Sequence, residues 1–323
     1  MPILEVKNLR THFYTKRGAV KAVDGIDVSL NQGDTLGIVG ESGCGKTVLA
    51  LSIMRLIASP PGRIVSGEIL FNGVDLLRLS GEEMRARRGR DISMIFQEPM
   101  TSLNPVLRVG DQIAETISLH QHLPRKDALD RAVAMLKLAG LPSFERRIRD
   151  YPHQMSGGMR QRVMIAMALS CNPRLMLADE PTTALDVTIQ AQIMELISAL
   201  KEETGTSVII ITHDLGVIAE AAQFVAVMYA GRIVEYAPAA VLFAMPLHPY
   251  TRGLMNSIPR IDRDYGRDDY LEAIPGAVPA LNDLPAGCPF HDRCPWVMET
   301  CRVNEPVLTE ESHGHQVRCW KYH

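Results

Sequence analysis

Three stretches of the 323-residue chain combine residue types and spacings suited to phosphate chemistry. Gly40, Glu41, Ser42, Gly43, Cys44, Gly45, Lys46 and Thr47 fit the pattern G-x-x-x-x-G-K-S/T. Glycines let successive backbone N–H groups turn inward onto phosphate oxygens, and a helix start adds positive potential. In that pattern Lys46 reaches the β- and γ-phosphates and Thr47 binds Mg²⁺. The run 175–180 is apolar and ends in two carboxylates. Asp179 is placed to hold Mg²⁺, and Glu180 to polarise an attacking water as general base. Ser156, Gly157 and Gly158 precede a helical run at 162–170 and form a second anion site. One chain rarely needs two such sites, unless the second serves a nucleotide held by another subunit.

These residues need strand-to-helix turns to hold them. Residues 34–39 read as a short apolar strand. Residues 47–57 read as a helix that is apolar on nearly all sides and therefore buried. Residues 3–13 and 19–30 are rich in β-branched side chains and read as strands. The short apolar runs 92–96, 175–178, 208–212 and 224–229 suit a buried, mostly parallel sheet. Between Phe96 and Leu175 the pattern turns helical. Residues 127–138 set Leu129, Val133 and Leu136 on one face and stop at Gly140. The class is α/β, with an inserted helical region.

Composition narrows the function. A net charge of −3 argues against a dedicated nucleic-acid binder. No apolar run approaches the roughly 18–20 residues that span a bilayer, and the N-terminus lacks the pattern of a signal peptide. Half of the 20 prolines, and the whole acidic excess, lie beyond residue 231, so a boundary is expected near Gly231. Of the six cysteines, Cys44 and Cys171 read as packing residues. Cys288, Cys294, Cys301 and Cys319 crowd the tail and are expected to converge on a metal, four thiolates suiting Zn²⁺ or an iron–sulfur cluster. His291, His313 and His315 are rival ligands, and Arg293 and Arg318 would offset thiolate charge.

The set of motifs resembles that of the ABC ATPases. It comprises Gly40 to Thr47, Gln97 after a strand, Ser156-Gly157-Gly158, Asp179-Glu180, Ala184-Leu185-Asp186 and His213, all in the family's order. The signature departs from the usual Leu-Ser-Gly-Gly-Gln at Met155 and Met159, neither of which removes a phosphate-facing donor. The resemblance implies an ATP- and Mg²⁺-dependent ATPase, with an antiparallel β subdomain beside the parallel core and a helical subdomain at about 98–165. It implies that Gln97 senses Mg²⁺ and the attacking water, that His213 contacts the γ-phosphate, and that Asp186 works across a dimer interface. An aromatic residue would stack on adenine: Phe13, which aligns better, or Tyr14.

The stretch Glu98-Pro99-Met100-Thr101-Ser102-Leu103-Asn104-Pro105 and the later His248-Pro249-Tyr250-Thr251 look like the D-type ATPases of dipeptide/oligopeptide importers. This implies an ATPase domain at 1–235 and a C-terminal extension at 236–323 whose cysteines carry a 4Fe-4S cluster, with Zn²⁺ as the alternative. It also implies a second, related ATPase subunit as heterodimer partner, two membrane permease subunits and an external substrate-binding protein. No nucleic acid is expected, and the chain would sit on the cytoplasmic face of the inner membrane. The competing readings are an importer of nickel or glutathione, an iron–sulfur redox enzyme, and a soluble ABC ATPase acting on nucleic acid. The last leans on Arg85, Arg87, Arg88 and Arg90, which a solvated helix face explains better.

Overall fold

The computed structural model describes residues 2–98, 102–183, 185–257, 273–312 and 314–323. Of the motif residues above, Pro99, Met100, Thr101, Ala184 and the rival ligand His313 lie outside the described residues. The strands are β1 (Pro2–Thr15), β2 (Gly18–Asn31), β3 (Thr35–Val39), β4 (Gly62–Phe71), β5 (Val74–Asp75), β6 (Ile92–Ile95), β7 (Leu175–Asp179), β8 (Ser207–Thr212), β9 (Phe224–Tyr229), β10 (Arg232–Pro238), β11 (Thr309–Ser312) and β12 (His315–Val317). The helices used below are α1 (Lys46–Ile53), α2 (Gly81–Arg87), α3 (Val109–Gln121), α4 (Arg125–Leu138), α5 (Phe144–Arg147), α6 (Gly157–Leu169), α7 (Val187–Thr204), α8 (Leu215–Ala221), α9 (Ala239–Ala244), α10 (Pro249–Asn256) and α11 (Glu299–Val303). Among the described residues, no helix is long and apolar enough to cross a membrane.

The chain forms two compact units. The first holds residues 1–5, 29–35 and 69–212. Its strands β6, β7 and β8 are parallel, with Ile92 beside Leu175 and Ala178 beside Ile210. Every residue of the three is buried, which is why their sequences are almost unbroken apolar runs. The helical region packs α4 against α3 and α6. The expected stripe on α4 is displaced. Ala128, Ala132, Met135 and Leu136 are buried, whereas Leu129 and Val133 are only half-buried. Alanines let helices approach closely, so the tight face runs through small residues rather than the largest apolar ones. Helix α6 starts at Gly157, five residues before the sequence suggests.

The second unit holds residues 6–28, 36–68 and 213–323. Strands β2, β1 and β4 neighbour one another in that order. Strand β3 runs parallel to β9, and β10 returns antiparallel beside β9. Strand β12 then pairs antiparallel with β10, Glu235 opposite Val317, and β11 closes the edge. The expected helix 47–57 ends at Ile53, because Arg55 takes a left-handed conformation at φ 51° and turns the chain.

A buried polar knot ties the last strands down. Glu235 and His315 are both fully buried, and His315 Nε2 lies 2.8 Å from Glu235 Oε1. The same carboxylate accepts the N–H of Leu247 at 2.7 Å and of His248 at 2.9 Å. A buried carboxylate is tolerated when it is satisfied in this way. His248 in turn caps α10, its Nδ1 accepting the Tyr250 N–H at 3.1 Å. Burial lowers the pKa of His248 to about 4.

Candidate nucleotide site

In the second unit the phosphate-loop sequence bridges β3 and α1. Its end glycines are required by close backbone approach. A Cβ on Gly40 would stand 2.2 Å from the Met228 carbonyl oxygen. On Gly45, at φ +107°, it would stand 2.0 Å from the Ala22 carbonyl oxygen. The loop wraps the Lys46 ammonium, whose Nζ donates to the Gly40 carbonyl at 2.7 Å and the Glu41 carbonyl at 3.0 Å. Gly45 offers no side chain to cap α1, so the first-turn N–H groups keep their outward potential. Ser42, Gly43 and Thr47 are exposed. Cys44 is fully buried and its thiol pKa is raised by burial, in keeping with the packing role expected for it.

Glu41 has partners that the sequence did not suggest. Its N–H donates to the Tyr250 hydroxyl at 2.7 Å. Its carboxylate accepts two guanidinium bonds from Arg293, at 2.7 and 3.0 Å. The sequence presents Tyr250 only as part of a family stretch, and Arg293 only as a partner for thiolates. Of the two candidate adenine-stacking residues, Phe13 lies against Gly62 and is half-buried, while Tyr14 is 55% exposed. His213 is exposed and precedes Asp214, which caps α8.

In the first unit β7 delivers the two carboxylates. Asp179 is buried. Glu180 follows in a left-handed conformation, φ 47°, with its N–H on the Ile211 carbonyl at 2.8 Å. Non-glycine residues held there are uncommon and gather at functional sites. The Gln97 amide donates to Glu180 Oε2 at 3.0 Å, and the Thr183 hydroxyl donates to the same oxygen at 2.7 Å. Sequence reasoning missed Thr183; its position three residues after Glu180 in a turn was the available signal. Ser156 caps α6, its Oγ accepting from the Met159 N–H at 3.4 Å. A Cβ on Gly158 would meet Ile189 at 3.0 Å, so this helix start lies close to α7. Asp186 caps α7 through the Ile189 N–H at 3.0 Å.

The cysteine tail corrects an expectation. Cys288, Cys294, Cys301 and Cys319 border one pocket, yet among the described residues no group of three or more His, Cys, Asp or Glu is arranged to hold a metal ion. All six cysteines are free. The 4Fe-4S cluster, and the Zn²⁺ alternative, are therefore withdrawn. The physical reason lies in the thiols. Burial raises the pKa of Cys288 to about 11 and also raises those of Cys294 and Cys319, so these three sit as neutral thiols in this structure. The side chains expected to assist are engaged elsewhere. His291 faces the Cys288 carbonyl and Asp292, and His315 faces Glu235. Arg293 holds Glu41, and Arg318 donates to the Ile233 and Pro306 carbonyls.

Known proteins supply an independent test. The family model described as "ABC transporter" matches residues 23–183, and that described as "Oligopeptide/dipeptide transporter, C-terminal region" matches residues 234–301. The chain is 55% identical to a probable peptide ABC transporter ATP-binding protein of Sinorhizobium fredii, covering 99% of this chain and 95% of that one. It is 51% identical to the oligopeptide transport ATP-binding protein AppD of Bacillus subtilis, covering 99% and 97%. It is 51% identical to the dipeptide transport ATP-binding protein DppD of the same organism, covering 98% and 94%. Among solved structures, a dimeric ATP-binding cassette in a post-hydrolysis state, bound to ADP and Pi, matches with a TM-score of 0.66. The two are 27% identical over 73% of this chain and 98% of that one. With glycine-enforced loop, paired carboxylates and near full-length likeness together, this chain belongs to the ATP-binding subunits of oligopeptide/dipeptide ABC transporters.

Proposed function

We propose that the chain binds and hydrolyses ATP to power import of dipeptides or oligopeptides. The phosphate loop carries this reading, because its glycines are sterically enforced and its lysine is held by the loop's own carbonyls. Lys46 and the loop N–H groups bind the phosphates. Thr47, Asp179 and Gln97 are the residues that would hold Mg²⁺, whose charge offsets that of the phosphates. Glu180 takes a proton from the attacking water as its oxygen bonds to the γ-phosphorus and ADP leaves. Thr183 and Gln97 orient that carboxylate. His213 steadies the γ-phosphate. The exposure of Tyr14 favours it over Phe13 as the adenine-stacking ring.

Ser156, Gly157 and Gly158 would serve a nucleotide held by a second ATPase subunit, related but not identical, with Asp186 working at that interface. Binding closes the pair and hydrolysis reopens it, which moves two membrane permease subunits fed by an external binding protein. The chain thus acts at the cytoplasmic face of the membrane. Residues 1–235 form the ATPase domain, with its helical subdomain at about 98–165, and residues 236–323 form the extension. Reconstitution with the permease pair tests the reading. Peptide-stimulated ATPase activity is the expected result; stimulation by nickel or glutathione alone, or by DNA without the permeases, would overturn it.

A further inference from the structure

We propose that Arg293 and Tyr250 are positioning residues for the phosphate loop, through which the C-terminal extension sets the affinity for nucleotide. The inference rests on the ATP-binding reading above and deepens it.

Glu41 is an awkward residue for its place. It is the second residue of a loop that must receive a polyphosphate, and it brings a negative charge. Its carboxylate is cancelled by a two-point pair with Arg293, at 2.7 and 3.0 Å. That guanidinium is held on several sides. Its Nε donates to the Pro275 carbonyl at 2.8 Å, and its carbon lies 5.8 Å from the centroids of both Tyr229 and Phe290. Arg293 is 5% exposed at its side chain, so the partner is fixed before any nucleotide arrives. A planar fork pre-organised in this way loses little freedom on pairing.

Tyr250 acts on the backbone of the same residue. Its hydroxyl accepts the Glu41 N–H at 2.7 Å, while its ring packs 4.7 Å from Tyr229 and 5.5 Å from Phe290. The extension therefore grips Glu41 at both its amide and its carboxylate. Removing Arg293 would leave a bare carboxylate beside the phosphates, and removing the hydroxyl would free the loop's second amide.

The test is equilibrium binding of ATP to the purified full chain, by fluorescence of a labelled analogue. Wild-type protein that binds no ATP would refute the ATP-binding reading itself, separately from this inference. Arg293→Gln is expected to weaken binding about tenfold, the low end for a lost charge-assisted hydrogen bond. Tyr250→Phe is expected to weaken it about threefold, as for a neutral bond. The Glu41→Gln/Arg293→Gln double variant should recover most of the lost affinity, because the uncompensated charge is gone. The deficit of Arg293→Gln should also shrink as salt rises. Arg252→Gln, in the same extension but bonded to the Pro246 carbonyl and stacked on Trp296, should bind as wild type. Wild-type affinity in both Arg293→Gln and Tyr250→Phe would overturn the proposal. So would a loss in Arg252→Gln as large as theirs, or a double variant no better than Arg293→Gln. If Arg293→Gln does not fold, Tyr250→Phe compared with Arg252→Gln decides.

Discussion

Gln97 and Glu180, 83 positions apart, are joined by one hydrogen bond of 3.0 Å from the glutamine amide to the glutamate carboxylate. Thr183 holds the same oxygen. The Glu180 carboxylate is thus oriented by two donors, one from the segment after β6 and one from the turn after β7.

Replacing Glu180 by Gln keeps the shape of that arrangement and removes the proposed base. Steady-state turnover should fall by about a hundredfold or more, while ATP binding persists. Hydrolysis at the wild-type rate would remove Glu180 from that role.

Lys46→Ala deletes the ammonium that the loop encloses. Affinity for ATP should drop by about a hundredfold, as expected for lost charge-assisted bonds to phosphate. Calorimetric titration checks it, and unchanged affinity would reject the phosphate-loop assignment.

Gly45→Ala probes packing rather than chemistry. The added carbon meets the Ala22 carbonyl oxygen, and φ +107° is a region L residues avoid. Destabilisation of about 3 kcal/mol is expected from strain and overpacking together. A melting temperature equal to wild type would contradict the geometry.

His248 makes stability depend on pH. Its folded pKa, about 4, lies below the ordinary 6.5. The unfolded chain therefore takes up a proton before the folded one does. The associated stability is complete above about pH 6.5 and is lost as pH falls toward 4, by about 2 kcal/mol between about pH 7 and pH 5. His248→Asn keeps an acceptor for the Tyr250 N–H and cannot titrate. Urea unfolding of the two proteins at both pH values should show that difference, and equal slopes would refute it.

What could be read in advance follows from range. The phosphate loop is a local pattern, so its glycines, Lys46 and Thr47 were legible from spacing alone, as was the apolar run that presents Asp179 and Glu180. The grip of Arg293 on Glu41 spans 252 positions and leaves no local mark. The buried stripe on α4 departs from the expected one because Ala128 and Ala132 are small, and closeness rather than size decides burial there. The four tail cysteines border one pocket, but the metal expected from them is not supported. Spacing carries no sign that burial raises the thiol pKa of Cys288, Cys294 and Cys319.

The pairing of β10 with β12 has a consequence for how the chain is made. On the side away from β9, Glu235 and Tyr236 pair with Val317 and Gln316. During synthesis that edge of β10 therefore stays open, and Glu235 lacks His315, until β12 has emerged 80 positions later. An open strand edge invites pairing with other chains. Removing β12 would thus expose that edge to other chains, so the strand acts as a seal on β10.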